Sequence, residues 1–551
     1  MWKEIAASKR AARDKAIPKD WLLPAGHVSD NQINVIHVPE NCDILTSREL
    51  EITALEAQTL VQKILDRDYS SYEVTLAFCK RAAIAQQLVN CLSEIFFDAA
   101  LSAAKRVDAE YASTSIPSGP LHGLPVSLKD CFRVAGVDTT IGYTAFANSP
   151  TPEDQESEIT KTMRESGAIL FCKTNVPPGL MLGETYNAIY GYTSNPYNRN
   201  LISGGSSGGE SALLALRGSP LGIGTDVGGS IRIPASFCGL YALKPSSGRF
   251  PTSGLRDGME GQEAVRNTIG PMATSLSALE LWCRAVLRTE PWMRDTDCIP
   301  LPFREVEVPK KLCFGLLLDD GHVKPLPPVT NALLQTKAAL EAAGHTVIDF
   351  HINDPHHTTP LKHTLYRSAA ATTVHTALTQ TSEPWPKGME LLTETLTQNP
   401  ATVTELWAAQ AKRTAYANQL LKSWVATKSV SGTGREMDAL IMPVSPWDGC
   451  ERFGFCYDNY TSLWNVVDYC AVGVPVRGLE GGEDELERVH EARNEIEAGI
   501  WERYEAEKVK GAPVGIQIVG RRLNEEYLLQ MARVCDEALK KAEGKMSRMV
   551  D

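Results

Sequence analysis

From Ser47 onward apolar residues recur at helical spacing, in RELEITALEAQTLVQKIL, in EVTLAFCKRAAIAQQLV and in AALSAAKRVDAEY. Ser70 and Glu73 form a capping-box pattern at the start of the second run. The pattern then shortens. LPVSLKD follows a GPLHG turn and AILFCKT follows the helical stretch ESEITKTMRESGA; both are brief apolar runs of strand length, and PLGIGTD, LCFGLLL, HTVIDF, ALIMPVS and PVGIQIVG continue the series. Amphipathic stretches such as VTNALLQTKAALEAAG and ELWAAQAKRTAYANQLLKSW lie between them. Helices alternating with short apolar strands predict an α/β fold with helix, sheet and helix layers.

Residues 1–45 mix basic residues, prolines and polar stretches, which fits an arm packed on the body rather than a domain with its own core. Residues 46–551 then form one large domain. Two stretches read as insertions: 353–400, with its prolines and histidines, and 478–511, whose charged run predicts a solvated helix. No repeat of solenoid length and no low-complexity tract interrupts the chain.

Composition narrows the partners. Lys+Arg of 55 against Asp+Glu of 67 gives a net charge of −12, which argues against an electrostatic grip on nucleic acid or an anionic membrane and leaves a small neutral molecule as the expected ligand. The charged opening MWKEIAASKRAARDKAIPKDW lacks an apolar signal core, and no run of about eighteen apolar residues occurs, so a cytoplasmic protein without a membrane anchor is expected. Thirteen cysteines, an odd number without a CxxC pair, predict reduced thiols. His351, His356, His357, His363 and His375 match no familiar ligand spacing, so no metal site is expected.

Chemistry concentrates where glycines crowd two serines. Ser206 lies in GGSSGG and Ser230 in GTDVGGSIRIP, while Lys129 ends the apolar run LPVSL. Splitting an amide takes a nucleophile, a base, an acid for the leaving amine and donors for the tetrahedral oxyanion. A lysine desolvated at a strand end can be neutral and act as base; otherwise it is a strand-end lysine in solvent or paired with Asp130. Ser206 can bridge Lys129 to Ser230, because a hydroxyl donates and accepts at once; otherwise it caps the helix that follows. N–H groups of Val227, Gly228, Gly229 and Ser230 can surround a carbonyl oxygen. Ser207 is assigned supporting hydrogen bonds, and Asp226 and Arg232 are expected to brace the loop.

GLPVSLKD, GGSSGGE and GTDVGGSIRIP followed by SFCGLYALKPSSGR resemble the amidase signature family. That family's pattern places a lysine, a serine in a cis peptide and a nucleophilic serine 24 residues further on, which is the separation of Ser206 and Ser230. The opening residues, VTLAFCKRAAIAQQLVNC and GAPVGIQIVGRRL look like fungal acetamidase-type general amidases, so the resemblance covers nearly the whole chain. It implies a single large α/β/α domain around a twisted mixed sheet, a signature core at about 120–255, cofactor-free hydrolysis of a small carboxylic amide through an acyl-enzyme on Ser230, and a homodimer. By position in NVPPGLM it places Leu180 and Met181 at the substrate site. Three alternatives stand beside it: an α/β-hydrolase-like esterase using Ser206 of GGSSG, an amidotransferase-type subunit, and a fatty acid amide hydrolase.

Overall fold

The structure, a computed structural model, describes residues 1–29, 31–352, 358–367, 370–389, 400–480 and 490–550. Its strands are β1 (Leu92–Ile95), β2 (Pro125–Lys129), β3 (Ile169–Thr174), β4 (Tyr186–Asn187), β5 (Gly191–Tyr192), β6 (Gly222–Asp226), β7 (Tyr241–Lys244), β8 (Thr268–Ala273), β9 (Cys313–Leu316), β10 (Thr346–Asp349), β11 (Ala439–Pro443), β12 (Cys470–Glu480) and β13 (Pro513–Gly520). Eleven form one mixed sheet in the order β1-β3-β2-β6-β8-β7-β12-β13-β11-β9-β10, and β4 with β5 makes a separate ribbon. β3, β2 and β6 run parallel, as do β11, β9 and β10, with antiparallel pairings between the two groups. The α/β architecture read from the sequence is therefore present.

Local signals explain where elements begin and stop. Ser70 Oγ accepts from the Glu73 N–H at 3.0 Å while the Glu73 carboxylate accepts from the Ser70 N–H at 3.0 Å, a reciprocal cap that stabilises helix Ser71–Val89 by about 1 kcal/mol. The preceding run divides into two helices, Ser47–Ala54 and Ala57–Leu65, because Leu55 and Glu56 are extended between them. The central core packs Val126, Leu128, Leu170 and Ile223 of the sheet, with Leu124 just before β2, against Phe78, Leu279 and Trp282 of the covering helices.

The arm is tied to the body by charge as well as by apolar contact. Lys9 of helix Trp2–Lys15 sits 2.6 Å from Glu94 and 2.8 Å from Asp138, while Ile17, Val35 and Leu45 join a core with Leu88 and Phe171. The charged run differs from expectation in its described part. Helix Glu495–Arg503 is docked, with Ile500 buried and a fully buried Glu497 accepting the N–H groups of Lys324 and Arg493 at 2.7 and 2.6 Å.

Candidate active site

β2 delivers Lys129 into the centre of the molecule. The strand is buried throughout, and Lys129 itself has no exposed surface. Its Nζ donates to Ser206 Oγ at 2.8 Å, to Thr225 Oγ1 at 2.8 Å and to the Thr225 carbonyl at 3.2 Å, all uncharged oxygens. Burial drops the amine from its ordinary 10.5 to about 8, against a weaker upward pull from Cys131, Asp226, Asp257 and Glu210. Asp130 is not its partner. That carboxylate lies 2.9 Å from Lys173 and accepts from Thr140 Oγ1 at 2.6 Å and the Ile141 N–H at 3.0 Å.

The GGSSGG loop threads between backbone segments too close for side chains. A Cβ on Gly205 would come within 2.6 Å of the Leu182 carbonyl oxygen and the Glu184 N, so only glycine lets Ser206 reach Lys129. The Gly205–Ser206 peptide is cis and Ser206 is buried. Ser207 opens helix Gly208–Ala215, but the Ser207 side chain does not cap it; Ser207 N–H donates to the Ser230 carbonyl at 3.1 Å. The nucleophile-elbow reading of Ser206 fails on geometry. What precedes this serine is a loop with two single bridges, Ser194 to Ile202 and Leu201 to Glu451, instead of a strand.

After β6 the chain turns through Asp226–Ser230, and each carbonyl of that turn accepts a hydrogen bond. Asp226 C=O takes Thr268 Oγ1 at 2.9 Å, Val227 C=O takes the Tyr366 hydroxyl at 2.7 Å, Gly228 C=O takes Thr461 Oγ1 at 2.7 Å and Gly229 C=O takes the Ile233 N–H at 2.8 Å. The peptide planes are thus held in place. Gly229 departs from the sequence reading, because its N–H is given to Asp226 Oδ1 at 2.8 Å and is no longer free for a ligand. Among the described residues the N–H groups of Val227, Gly228 and Ser230 have no protein acceptor. Ser230 is part-exposed, and no hydrogen bond joins its Oγ to that of Ser206.

Asp226 and Arg232 pair with each other beneath this turn. Arg232 donates to both Asp226 oxygens at 3.0 Å and also to Gln517 Oε1 at 2.9 Å and Asn465 Oδ1 at 2.7 Å. Burial pushes the Asp226 carboxyl up, but the Arg232 guanidinium and the Asn465 amide outweigh it and hold the group well below the usual carboxylate range. Leu180 is buried in the central core at a positive φ of 64°, and Met181 packs on that core; the backbone that touches Gly205 is that of Leu182 to Glu184.

Several residues here carried no local sequence signal. Thr225 supplies two of the three acceptors around Lys129, and Asn465, Gln517, Tyr366 and Thr461 come from far along the chain. Glu210 stood in GGSSGGE unassigned. It is fully buried, accepts from Ser127 Oγ and from Thr174 Oγ1 at 2.7 Å, and burial pushes its carboxyl up to about 7. His375 stacks on Trp385 at 6.4 Å, while His356, His357 and the side chain of His363 lie outside the described residues. Among the described residues no three His, Cys, Asp or Glu side chains group to hold a metal, and no helix is long and apolar enough to cross a membrane.

Comparison with known proteins is consistent along the whole chain. The family described as Amidase matches residues 73–529. An acetamidase of Emericella nidulans is 40% identical over 548 residues, covering 96% of this chain and 97% of that protein. An acetamidase of Aspergillus oryzae is 38% identical over 555 residues, covering 98% and 99%. Among solved structures a fatty acid amide hydrolase superposes with a TM-score of 0.91 at 30% identity, covering 97% of this chain and 95% of that one.

Proposed function

This chain belongs to the amidase family and is an amidase hydrolase, and on that premise we propose that it converts a small primary carboxamide to the acid and ammonia through Lys129, Ser206 and Ser230. The observation that carries the reading is the dry, uncharged-oxygen environment of Lys129, 2.8 Å from Ser206 Oγ, with an amine at about 8. Neutral Lys129 takes the proton of Ser206 as Ser206 takes that of Ser230, and Ser230 Oγ adds to the amide carbon. The N–H groups of Val227, Gly228 and Ser230 receive the oxyanion, each contributing roughly 3–4 kcal/mol where its geometry is right. The proton returns through Ser206 to the amine, ammonia leaves, and water activated by the same relay releases the acid. Closure of the Ser206–Ser230 hydrogen bond accompanies substrate binding, as apo catalytic contacts commonly tighten in the complex.

Two acetamidase relatives support a short acyl group; the fatty acid amide hydrolase match supports a long one as the second reading. A series of primary amides of increasing acyl length, assayed for ammonia release by the purified single chain, separates them, with an optimum at acetamide or its near homologues expected. The same assay tests the amidotransferase alternative, which requires a partner. Ser230→Ala should remove roughly 10⁶-fold of kcat, and a fluorophosphonate should label Ser230. Labelling of another residue overturns the assignment.

A further inference from the structure

The oxyanion turn is held partly from a distant helix. Thr358–Arg367 lies within the stretch the sequence reading treated as an insertion, and it carries Lys362 and Tyr366 one helical turn apart on the same face. Lys362 Nζ donates to Asp458 Oδ1 and Ser462 Oγ, each at 2.7 Å, which clips this helix to helix Asn459–Val466. With that clip in place the Tyr366 hydroxyl reaches Val227 C=O at 2.7 Å.

A trans peptide points its C=O and its N–H in opposite directions, so whatever fixes the Val227 carbonyl also fixes the N–H of Gly228. The neighbouring planes are fixed differently: Asp226 C=O by Thr268 from the sheet, Gly228 C=O by Thr461, and Gly229 C=O by the backbone of Ile233. Gly229 N–H is already consumed by Asp226, which leaves Gly228 N–H at the centre of the remaining donors. Gly228 is also the residue least able to hold itself, having no side chain and nothing closer than 3.8 Å to where a Cβ would lie.

We propose that Tyr366 is a positioning residue for hydrolysis, its hydroxyl orienting and polarising the Val227–Gly228 peptide so that the Gly228 N–H meets the oxyanion. The inference rests on the reaction proposed above. A carbonyl that accepts a strong hydrogen bond makes the N–H of its own peptide a better donor, and rigid orientation removes the reorganisation that a glycine turn would otherwise undergo as charge develops. Burial pushes the Tyr366 phenol up, so it remains a donor throughout the working pH range. The effect belongs to the transition state, because a planar amide oxygen carries little charge.

Tyr366→Phe removes only the hydroxyl. We expect kcat to fall roughly 10- to 100-fold with KM nearly unchanged, since the donor itself, worth more, remains in place. A trifluoromethyl ketone, which forms a tetrahedral adduct with a charged oxygen, should lose affinity by a similar factor, whereas inhibition by a planar, uncharged amide that the enzyme does not turn over should not change. Rates are expressed per site titratable with fluorophosphonate, so partial misfolding does not mimic the result. Unchanged kcat, or equal loss of affinity for both inhibitors, overturns the inference. Ser230→Ala run in parallel keeps the two claims apart: activity surviving in that variant defeats the underlying reaction, whereas its loss alongside a fully active Tyr366→Phe defeats the role of Tyr366 alone.

Discussion

Lys129 and Asp226 end neighbouring strands, and they and Arg232, the partner of Asp226, are equally without exposed surface, yet burial has opposite consequences for the amine and the ion pair. Arg232 faces two carboxylate oxygens and two amide oxygens, so each charge of the pair is met and Asp226 stays ionised far into acid. Lys129 faces hydroxyls and a carbonyl, so nothing nearby repays the loss of water and its amine falls to about 8. Lys173, also fully buried, shows the remedy that Lys129 lacks: a carboxylate at 2.9 Å. Partners, rather than depth, decide which buried charge is structural and which is available for proton transfer.

The comparison breaks most sharply on activity and stability measured together. Lys129→Met should lower kcat/KM on the order of 10⁴-fold, the upper range for a lost general base, without lowering the unfolding free energy at pH 7. A variant that keeps most of its activity would return Lys129 to a packing role. Arg232→Met should do the reverse in its primary effect: it strands Asp226, and stability should fall by about 3–5 kcal/mol in denaturant titrations. A loss under 1 kcal/mol would mean that the turn's N–H groups alone satisfy that carboxylate.

These contrasts were only partly open to sequence reading. Lys129, Ser206, Ser230, Asp226 and Arg232 sit in short motifs whose spacing and glycines single them out, and the strands β2, β3, β6, β9, β10, β11 and β13 announce themselves as apolar runs bounded by turns. β8, TIGPMA, hides behind its own glycine and proline, and β1, β7 and β12 were likewise passed over. Tyr366 and Thr461 could not be found at all, since each acts through one hydroxyl set by packing more than a hundred residues from the turn it holds. Gly229 was misjudged for a related reason: whether an N–H faces substrate or a neighbouring carboxylate depends on ψ, which composition does not encode.

A pH series sharpens the comparison through stability. Because the folded amine at about 8 lies below its ordinary 10.5, the unfolded chain binds the extra proton between those values, and stability rises with pH across that window. Below about 8 the buried amine costs the fold about 3 kcal/mol, and the cost fades as pH climbs toward 10.5. The unfolding free energy of wild type minus that of Lys129→Met should therefore increase between pH 7 and pH 10. Asp226 acts at the other end, since its depressed carboxyl lends stability that is lost only as pH falls below the usual carboxylate range. A difference that is flat with pH would mean that the folded amine keeps its ordinary 10.5, its charge met by a partner.

The smallest effect should come from Glu210, which connects to Lys129 without touching it. Ser127 and Lys129 share a face of β2, and Ser127 hydrogen-bonds Glu210, whose carboxyl burial raises to about 7. Above that pH the carboxylate is charged and helps Lys129 hold its proton, a minor pull beside desolvation. Glu210→Gln keeps the shape and can exchange hydrogen bonds with both hydroxyls, but removes the charge. The alkaline-rising limb of kcat/KM, which the proposed role of Lys129 as base puts near 8 in the wild type, should then move to lower pH by a fraction of a unit, leaving the plateau rate nearly intact. A limb that moves upward would make Glu210 a proton acceptor in the relay instead of a distant charge. A limb that stays in place would mean that Lys129 answers to its lack of water alone.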